Sequence, residues 1–378
     1  MRVLQFGRFW NEQHGGIERH VSLLGHSLAT QGVDVVNLVA ASGRQGSDES
    51  KGRYRLIQAP TFGIAYGTAM SPALLLRALD LHMENAFDIF HLHFPDPLSH
   101  LTSMLLPLNV PRVITWHSDI IRQKRLLALY KPFLGRVTRQ ADALVAATQA
   151  HFDSSTQIPS DIPLSRRYVI PYGLDFAPLK LDTRTAALRD ELRGRSQGRG
   201  LVFALGRHVY YKGFEVLIAA MQHTDAFLIL GGDGPLRAQL EQQAVAMGLG
   251  SRILFSGRIP EKDLGAYFQS CDVFCLPSVA PSEAFGLVQL EAMACGKPVV
   301  CTQLNNGVNV VNVHGQTGFA VPVSDPVALG QCLAGLLQDE ALRQKLGEQA
   351  RAHTRRFSVP AMTSSHIKLY QQLLSTSR

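Results

Sequence analysis

The sequence predicts an α/β protein built from two consecutive doubly wound parallel sheets. Short apolar runs rich in Val, Ile and Phe alternate with longer segments of helical period along the whole chain, the pattern of strand-helix-strand units. The pattern restarts after Pro178, and about a dozen such runs exceed what one open twisted sheet comfortably holds. At 378 residues there is chain enough for two domains, each with its own core.

The first set of strand runs is VLQF, DVVNLV, FDIFHLH, RVITW, ALVAA and YVIP. The second is LVFALG, AFLILGG, RILFSG, VFCLPS, PVVCT and TGFAVPV, with helical segments such as FEVLIAAM and PLRAQLEQQAVAM between. The boundary falls in PYGLDFAPLKLD, which has the Pro and Gly punctuation of a linker, and TAALRDELRG then opens the second domain as a helix. The expected division is 1–174 and 175–357. The last stretch, 358–378, carries VPAMTSSHIKLYQQLLSTS, an amphipathic helix whose partner sheet the periodicity does not name.

Hydrophobic residues at 46% and charged residues at 18% describe an ordinary globular chain, without the composition of a disordered one. A formal charge of +7 suits a polyanionic partner, whether phosphorylated small molecule, membrane surface or nucleic acid. Scattered lysines and arginines without a nucleic-acid recognition signature argue against the last. The cysteines Cys271, Cys275, Cys295, Cys301 and Cys332 sit mostly in apolar runs and read as buried thiols; no second Cys or His pair follows Cys271 and Cys275 at zinc-site spacing. The opening MRVLQFG lacks a signal-peptide pattern, and no window approaches the roughly 18 to 20 apolar residues of a membrane-spanning helix. The expected location is the cytoplasm.

In doubly wound sheets ligands bind at the carboxyl ends of the strands, so the loops there are where chemistry is sought. In GRFWNEQHGGIERHV, Gly15 and Gly16 precede a helix near Ile17, where backbone can approach an anion; Glu18 suits the helix dipole, and an ordinary Gly-rich turn is the plainer reading. After RVITW come His117 and Asp119, the imidazole able to bond a hydroxyl or phosphate or simply to serve the structure. His91, His93 and Asp96 end another strand; alternating histidines invite a metal, but no third ligand stands at a fixed spacing, so no metal is expected. In the second half, Arg207 and Lys212 lie in the loop of LGRHVYYKGF beside a helix start at Gly213, placed to neutralise a diphosphate. GGDGPL is a weak G-x-G signal without the rest of the dinucleotide fingerprint. In SEAFGLVQLEAMACGKPVV, Glu283 is a loop residue and Glu291 lies within the helix from about Leu287 to Ala294. Even if both were helical they would stand about 12 Å apart, too far for a paired acid and base.

SEAFGLVQLEAMACGKPVV resembles the E-x7-E motif of the retaining glycosyltransferases of family 4, and the resemblance runs along nearly the whole chain through HGGIERHV, HSD, PYGLD, GRHVYYKGF, GGDGPL and HGQTGFAVPVSDP. It implies a GT-B fold, two Rossmann-like domains facing a cleft, the first on the acceptor side and the second binding a nucleotide-sugar donor, with 358–378 crossing back onto the first. It further implies that Glu283 bonds donor-sugar hydroxyls and Glu291 the ribose, while Arg207 and Lys212 hold the diphosphate. The backbone at Phe285, Gly286, Leu287, Gly15 and Gly16 would add to that; Arg258 and Ile259 would meet the base, and His117 the sugar. Charge building on the departing diphosphate can be met by cations and helix ends, so neither metal nor other cofactor is implied.

Two segments depart from the family pattern. NNGVNVVNVHGQTG has Gly307 alone and Asn309 near an expected acid, and Tyr172 stands where Asn is common, reading as packing. The donor implied first is GDP-mannose, with UDP-sugars second; the acceptor is a saccharide, lipid-linked in many relatives. Ile120 to Gln140 holds six basic residues and no acidic one among Leu, Tyr and Phe, a pattern that fits an anionic membrane surface or a core helix with a solvated basic face. Peripheral contact with the inner face of the cytoplasmic membrane would follow from the first. Competing readings are a sugar-nucleotide epimerase of the same fold and a silent nucleotide-sugar binder.

Overall fold

A computed structural model of the protein describes residues 1–9, 16–65, 68–84, 86–120 and 124–376. Gly15, in the first glycine pair, and residues 121–123 of the basic segment lie outside the described residues. The chain folds as two compact units, one of Met1–Leu174 with Ser358–Arg378, the other of Asp175–Phe357.

In the first unit the elements run β1 (Arg2–Phe9), α1 (Gly16–Thr30), β2 (Asp34–Ala40), β3 (Ser47–Lys51), β4 (Tyr54–Ala59), β5 (Ile64–Ala65), β6 (Thr68–Ala69), α2 (Pro72–Glu84), β7 (Ile89–Phe94), α3 (Pro97–Ser103), β8 (Arg112–Trp116), α4 (Lys124–Gln140), β9 (Ala143–Ala146), α5 (Gln149–Ser154) and β10 (Arg167–Val169). Eight strands form one sheet in the order β10-β9-β8-β7-β1-β2-β4-β3, parallel throughout except that β3 runs antiparallel to β4. The central strands are buried on both faces, as helix-covered parallel strands must be: β7 and β8 expose almost nothing. β3 is an edge, and its sequence SDESK is correspondingly polar.

The second unit runs α6 (Thr183–Arg195), β11 (Leu201–Leu205), α7 (Phe214–Ala220), β12 (Phe227–Gly231), α8 (Arg237–Ala246), β13 (Ile253–Gly257), α9 (Leu264–Ser270), β14 (Val273–Leu276), α10 (Val288–Ala294), β15 (Val299–Thr302), α11 (Gly307–Val311), β16 (Gly318–Val321), α12 (Pro326–Gln338) and α13 (Glu340–His353). Its six strands are all parallel, in the order β13-β12-β11-β14-β15-β16. Counting from β11, that is the 3-2-1-4-5-6 order of a dinucleotide-binding sheet, and its direction of winding reverses between β11 and β14. The thiols are free, and Cys271, Cys275 and Cys301 are fully buried. Burial pushes the Cys271 thiol up to about 12, so it stays protonated and packs as a small hydrophobe.

The last helix, α14 (Val359–Thr376), belongs to the first unit. It packs on α1, with Ser27 and Thr363 hydroxyls 2.6 Å apart, and its Tyr370 hydroxyl lies 2.7 Å from His91 Nδ1 on β7.

Candidate functional site

The topological reversal in the second unit brings two loops side by side, one after β11 and one after β14. They are stitched together by Val279 N–H, which donates to the Tyr211 carbonyl at 2.8 Å. Lys212 closes the first loop and Glu283 lies in the second, and their side chains form an ion pair that is only 12% and 11% exposed. Glu283 also accepts from Ser278 Oγ at 3.1 Å, Thr302 at the end of β15 bonds the Ser278 carbonyl, and Asn306 Nδ2 donates to the Glu283 carbonyl at 2.8 Å. The carboxylate is thus aimed by three strand ends. Gly213 follows Lys212 with φ +66°, and a Cβ there would collide with the Pro277 carbonyl, so close approach of the two loops requires glycine.

Other positions of the second unit surround this pair. Arg207 is exposed, and its guanidinium makes no hydrogen bond or ion pair among the described residues. Gly286 also has φ +67°. Just ahead of α10, the Phe285 side chain is buried edge-on to Phe357 with ring centroids 6.0 Å apart, so only its backbone is available for binding. Leu287 is 38% exposed. Glu291 lies in the first turn of α10, half-buried, in a helix that starts at Val288. Arg258 is exposed and Ile259 half-buried directly after β13, with Ile259 against Gly231 of β12. The GGDGPL turn is bound to the β11 loop by His208 N–H to the Asp233 carbonyl at 2.9 Å. Asn309 is engaged locally: its Oδ1 accepts from the Leu304 and Asn305 N–H groups at 2.8 Å each, and its Nδ2 donates to the Thr302 carbonyl.

The first unit gathers a different set. His117 follows β8, and its Nε2 lies 3.0 Å from Nδ1 of His93 on β7, while its Nδ1 lies 3.0 Å from the Tyr172 hydroxyl. Tyr172 therefore does more than pack. His20, on α1 one turn beyond Gly16, is edge-on to His93, His117 and Tyr172 at centroid distances of 5.6, 5.1 and 5.1 Å. All three histidines are buried, and burial lowers each well below the usual imidazole range, His117 to about 3. They are neutral at pH 7. Glu18 is buried beside Arg8 at 3.1 Å, and Asp119 braces the fold by accepting from Trp116 Nε1, Ser155 Oγ and the Thr156 N–H. On α4, Leu129 is 74% and Phe133 47% exposed, and Lys131 and Arg136 are exposed as well.

Residues 14–177 match the family model described as Glycosyltransferase Family 4, and residues 190–353 the one described as Glycosyl transferases group 1. The chain is 34% identical over 358 residues to D-rhamnosyltransferase WbpZ of Pseudomonas aeruginosa, covering 94% of this chain and 91% of that protein. The chain belongs to the family 4 glycosyltransferases. A second relative of this glycosyltransferase is the O-antigen chain mannosyltransferase C of Escherichia coli, 27% identical across the full length of both. Among solved structures, a sucrose-phosphate synthase from Thermosynechococcus elongatus matches with a TM-score of 0.78 at 22% identity over 99% of both chains. The fold is of the GT-B class.

Sequence reasoning missed Ser278, Asn306 and His20 as parts of these clusters. Ser278 ends an apolar strand run and Asn306 sits in a polar turn, and both act only through spatial neighbours that one sequence does not name.

Proposed function

We propose that the protein is a retaining hexosyltransferase that moves a sugar of manno configuration from a nucleoside diphosphate to a saccharide acceptor in surface polysaccharide or glycolipid synthesis, with GDP-mannose the first donor. The observation that carries the donor side is the Lys212–Glu283 pair at the winding reversal of the second unit. A mostly desolvated ion pair contributes little net stability, so its presence where such sheets bind ligands is better explained by the ligand it awaits. Donor binding exchanges partners: Lys212 passes to a phosphate and Glu283 to sugar hydroxyls. Each charge keeps a partner throughout.

In this reading Arg207 takes the same diphosphate from solvent, the backbone at Phe285 to Leu287 adds N–H groups, Glu291 holds the ribose, and Arg258 and Ile259 flank the base. As the glycosidic bond to the diphosphate breaks, negative charge grows on the leaving oxygens, and preorganised cations are worth most there. Transfer then needs no divalent ion. The family resemblance assigns Gly15 and Gly16 to the phosphates and His117 to a sugar hydroxyl, for which His117 gives up one of its two present partners. The donor preference rests on the two relatives, since rhamnose is 6-deoxymannose and both names denote the manno ring. A UDP-sugar is the second reading.

The exposed apolar and basic residues of α4 support an anionic membrane surface as a further partner, and with it a lipid-linked acceptor at the inner face of the membrane. No helix among the described residues is long and apolar enough to cross a membrane.

Incubation with radiolabelled GDP- and UDP-sugars, with and without EDTA, tests the reading. Slow donor hydrolysis or transfer that survives EDTA is expected. A changed sugar identifies an epimerase, and binding without turnover a silent binder. Nuclear magnetic resonance of the product's anomeric carbon checks retention.

A further inference from the structure

The histidines of the first unit are arranged in a way that glycosyl transfer alone does not account for. One ring nitrogen from each of His20, His93 and His117 lies within 4.8 Å of the others, and all three side chains are buried. Both nitrogens of His20 are buried without a hydrogen-bond partner among the described residues. A buried nitrogen left unpaired carries its full desolvation penalty, and so much unmet capacity in one place points to a missing occupant. Nδ1 of His93 and Nε2 of His117 face each other at 3.0 Å. Two neutral imidazoles can hold that arrangement by sharing one proton, or by sharing one cation.

We propose that His20, His93 and His117 form a binding site for one zinc-class divalent cation, separate from the chemistry of transfer. Three imidazoles and no carboxylate or thiolate make a borderline-soft set suited to zinc, cobalt, nickel or copper and unsuited to magnesium or calcium. Zinc–nitrogen bonds of about 2.0–2.1 Å place tetrahedral donors about 3.3 Å apart, close to the spacing of the His93 and His117 nitrogens, so the main adjustment is an inward movement of His20. The tautomers close without a proton leaving. His93 moves its proton to Nε2, and His117 carries its own on Nδ1, where the Tyr172 oxygen 3.0 Å away accepts it; such an outer partner is what fixes a metal-bound imidazole. Arg8, a cation whose charge reaches His117, is already neutralised by Glu18. Three ligands leave a fourth position open to water, at the carboxyl ends of β7 and β8.

The ion site rests on the proposed function only in one respect. If His117 bonds a sugar, the ion and the sugar compete, and zinc inhibits transfer.

The test uses the full, untagged chain titrated with ZnCl2 and CoCl2 in the absence of any sugar nucleotide, so its outcome is independent of the transferase reading. One ion per chain is expected, the cobalt form with the intense visible bands of four-coordinate geometry. His20→Gln should weaken binding more than about tenfold, since even outer partners of a metal ligand are worth that much. The melting curve of the variant checks its fold, and the cobalt spectrum of the unmodified chain stands whether or not the variant folds. Absence of saturable binding, an octahedral cobalt spectrum, or unchanged affinity in a folded His20→Gln chain overturns the site. Binding with inhibition that EDTA reverses supports both the site and the contact of His117 with sugar. Binding without inhibition supports the site and removes His117 from the transfer reaction.

Discussion

The two units solve the problem of buried polarity in opposite ways. At the winding reversal of the second, Glu283 and Lys212 are kept charged and paired in a mostly desolvated site. In the first, His20, His91, His93, His117 and His366 are kept neutral by burial, in contact with one another and with the tyrosines Tyr172 and Tyr370. A paired charge can be exchanged for a ligand of either sign without leaving its partner stranded. A neutral imidazole cluster suits hydroxyls or a soft cation and is hostile to added protons. The difference is why the proposed reading gives the donor's phosphates to the unit that stores charge.

The largest expected effect comes from breaking the charged side. Lys212→Ala removes one preorganised cation and should lower turnover about a hundredfold or more, measured as kcat with the identified donor. It also leaves Glu283 buried without its cation, which should destabilise the second unit by on the order of 3 kcal/mol in chemical denaturation. A double variant, Lys212→Met with Glu283→Gln, should recover most of that stability and none of the activity, which separates the pair's role in folding from its role in binding. Recovery of activity would end the assignment.

Arg207→Ala should weaken donor binding and slow transfer while leaving the melting midpoint unchanged, because the exposed guanidinium has no partner to strand among the described residues. A fall in stability comparable with that of Lys212→Ala would place Arg207 in the structure instead.

Acid sharpens the contrast. His100 and His366, outside the proposed ion site, are held at about 3 and about 4 by burial. An imidazole whose folded value lies below its unfolded one, near 6.5, binds more protons when unfolded, so the stability it contributes is complete above about pH 6.5 and is lost as pH falls toward 4 and then 3. The second unit holds fewer such groups, His208 and His353 among them. Hydrogen exchange at pH 7.5 and pH 5 should therefore show protection falling first in the first unit. Uniform loss across both units would contradict the comparison.

The smallest effect concerns the surface of α4. Leu129→Ser with Phe133→Ser should reduce sedimentation with anionic vesicles several-fold and leave soluble-donor hydrolysis unchanged. Equal binding to neutral and anionic vesicles by the unmodified chain would remove the membrane from the account.

Much of this was legible in the sequence. Each apolar run named there is a strand in the sheets, because parallel strands buried on both faces must be apolar almost throughout. β3 and β4 escaped because SDESK is an exposed edge and the apolar residues of YRLIQA are interrupted by Arg55 and Gln58. Gly213, Lys212 and Glu283 were legible as loop chemistry, since glycine and charge at strand ends have few other uses. Their pairing was not, because nothing in the spacing of Lys212 and Glu283 says that β11 and β14 are neighbours. The histidine cluster shows the same limit. His91 and His93 were visible as a pair on one strand, while His20 comes from α1 and reaches them only through the sheet order. Tyr172, read as packing, turns out to hold His117.

The most direct test is thermal stabilisation of the unmodified chain and of Lys212→Ala by GDP-mannose, GDP and the UDP-sugars. Saturating donor at about 100 times its dissociation constant should add about 2.7 kcal/mol to the folded state. The account predicts a clear rise in melting midpoint for the unmodified chain with GDP-mannose and little or none for Lys212→Ala. An equal rise in both proteins, or no rise with any nucleotide sugar, would contradict it.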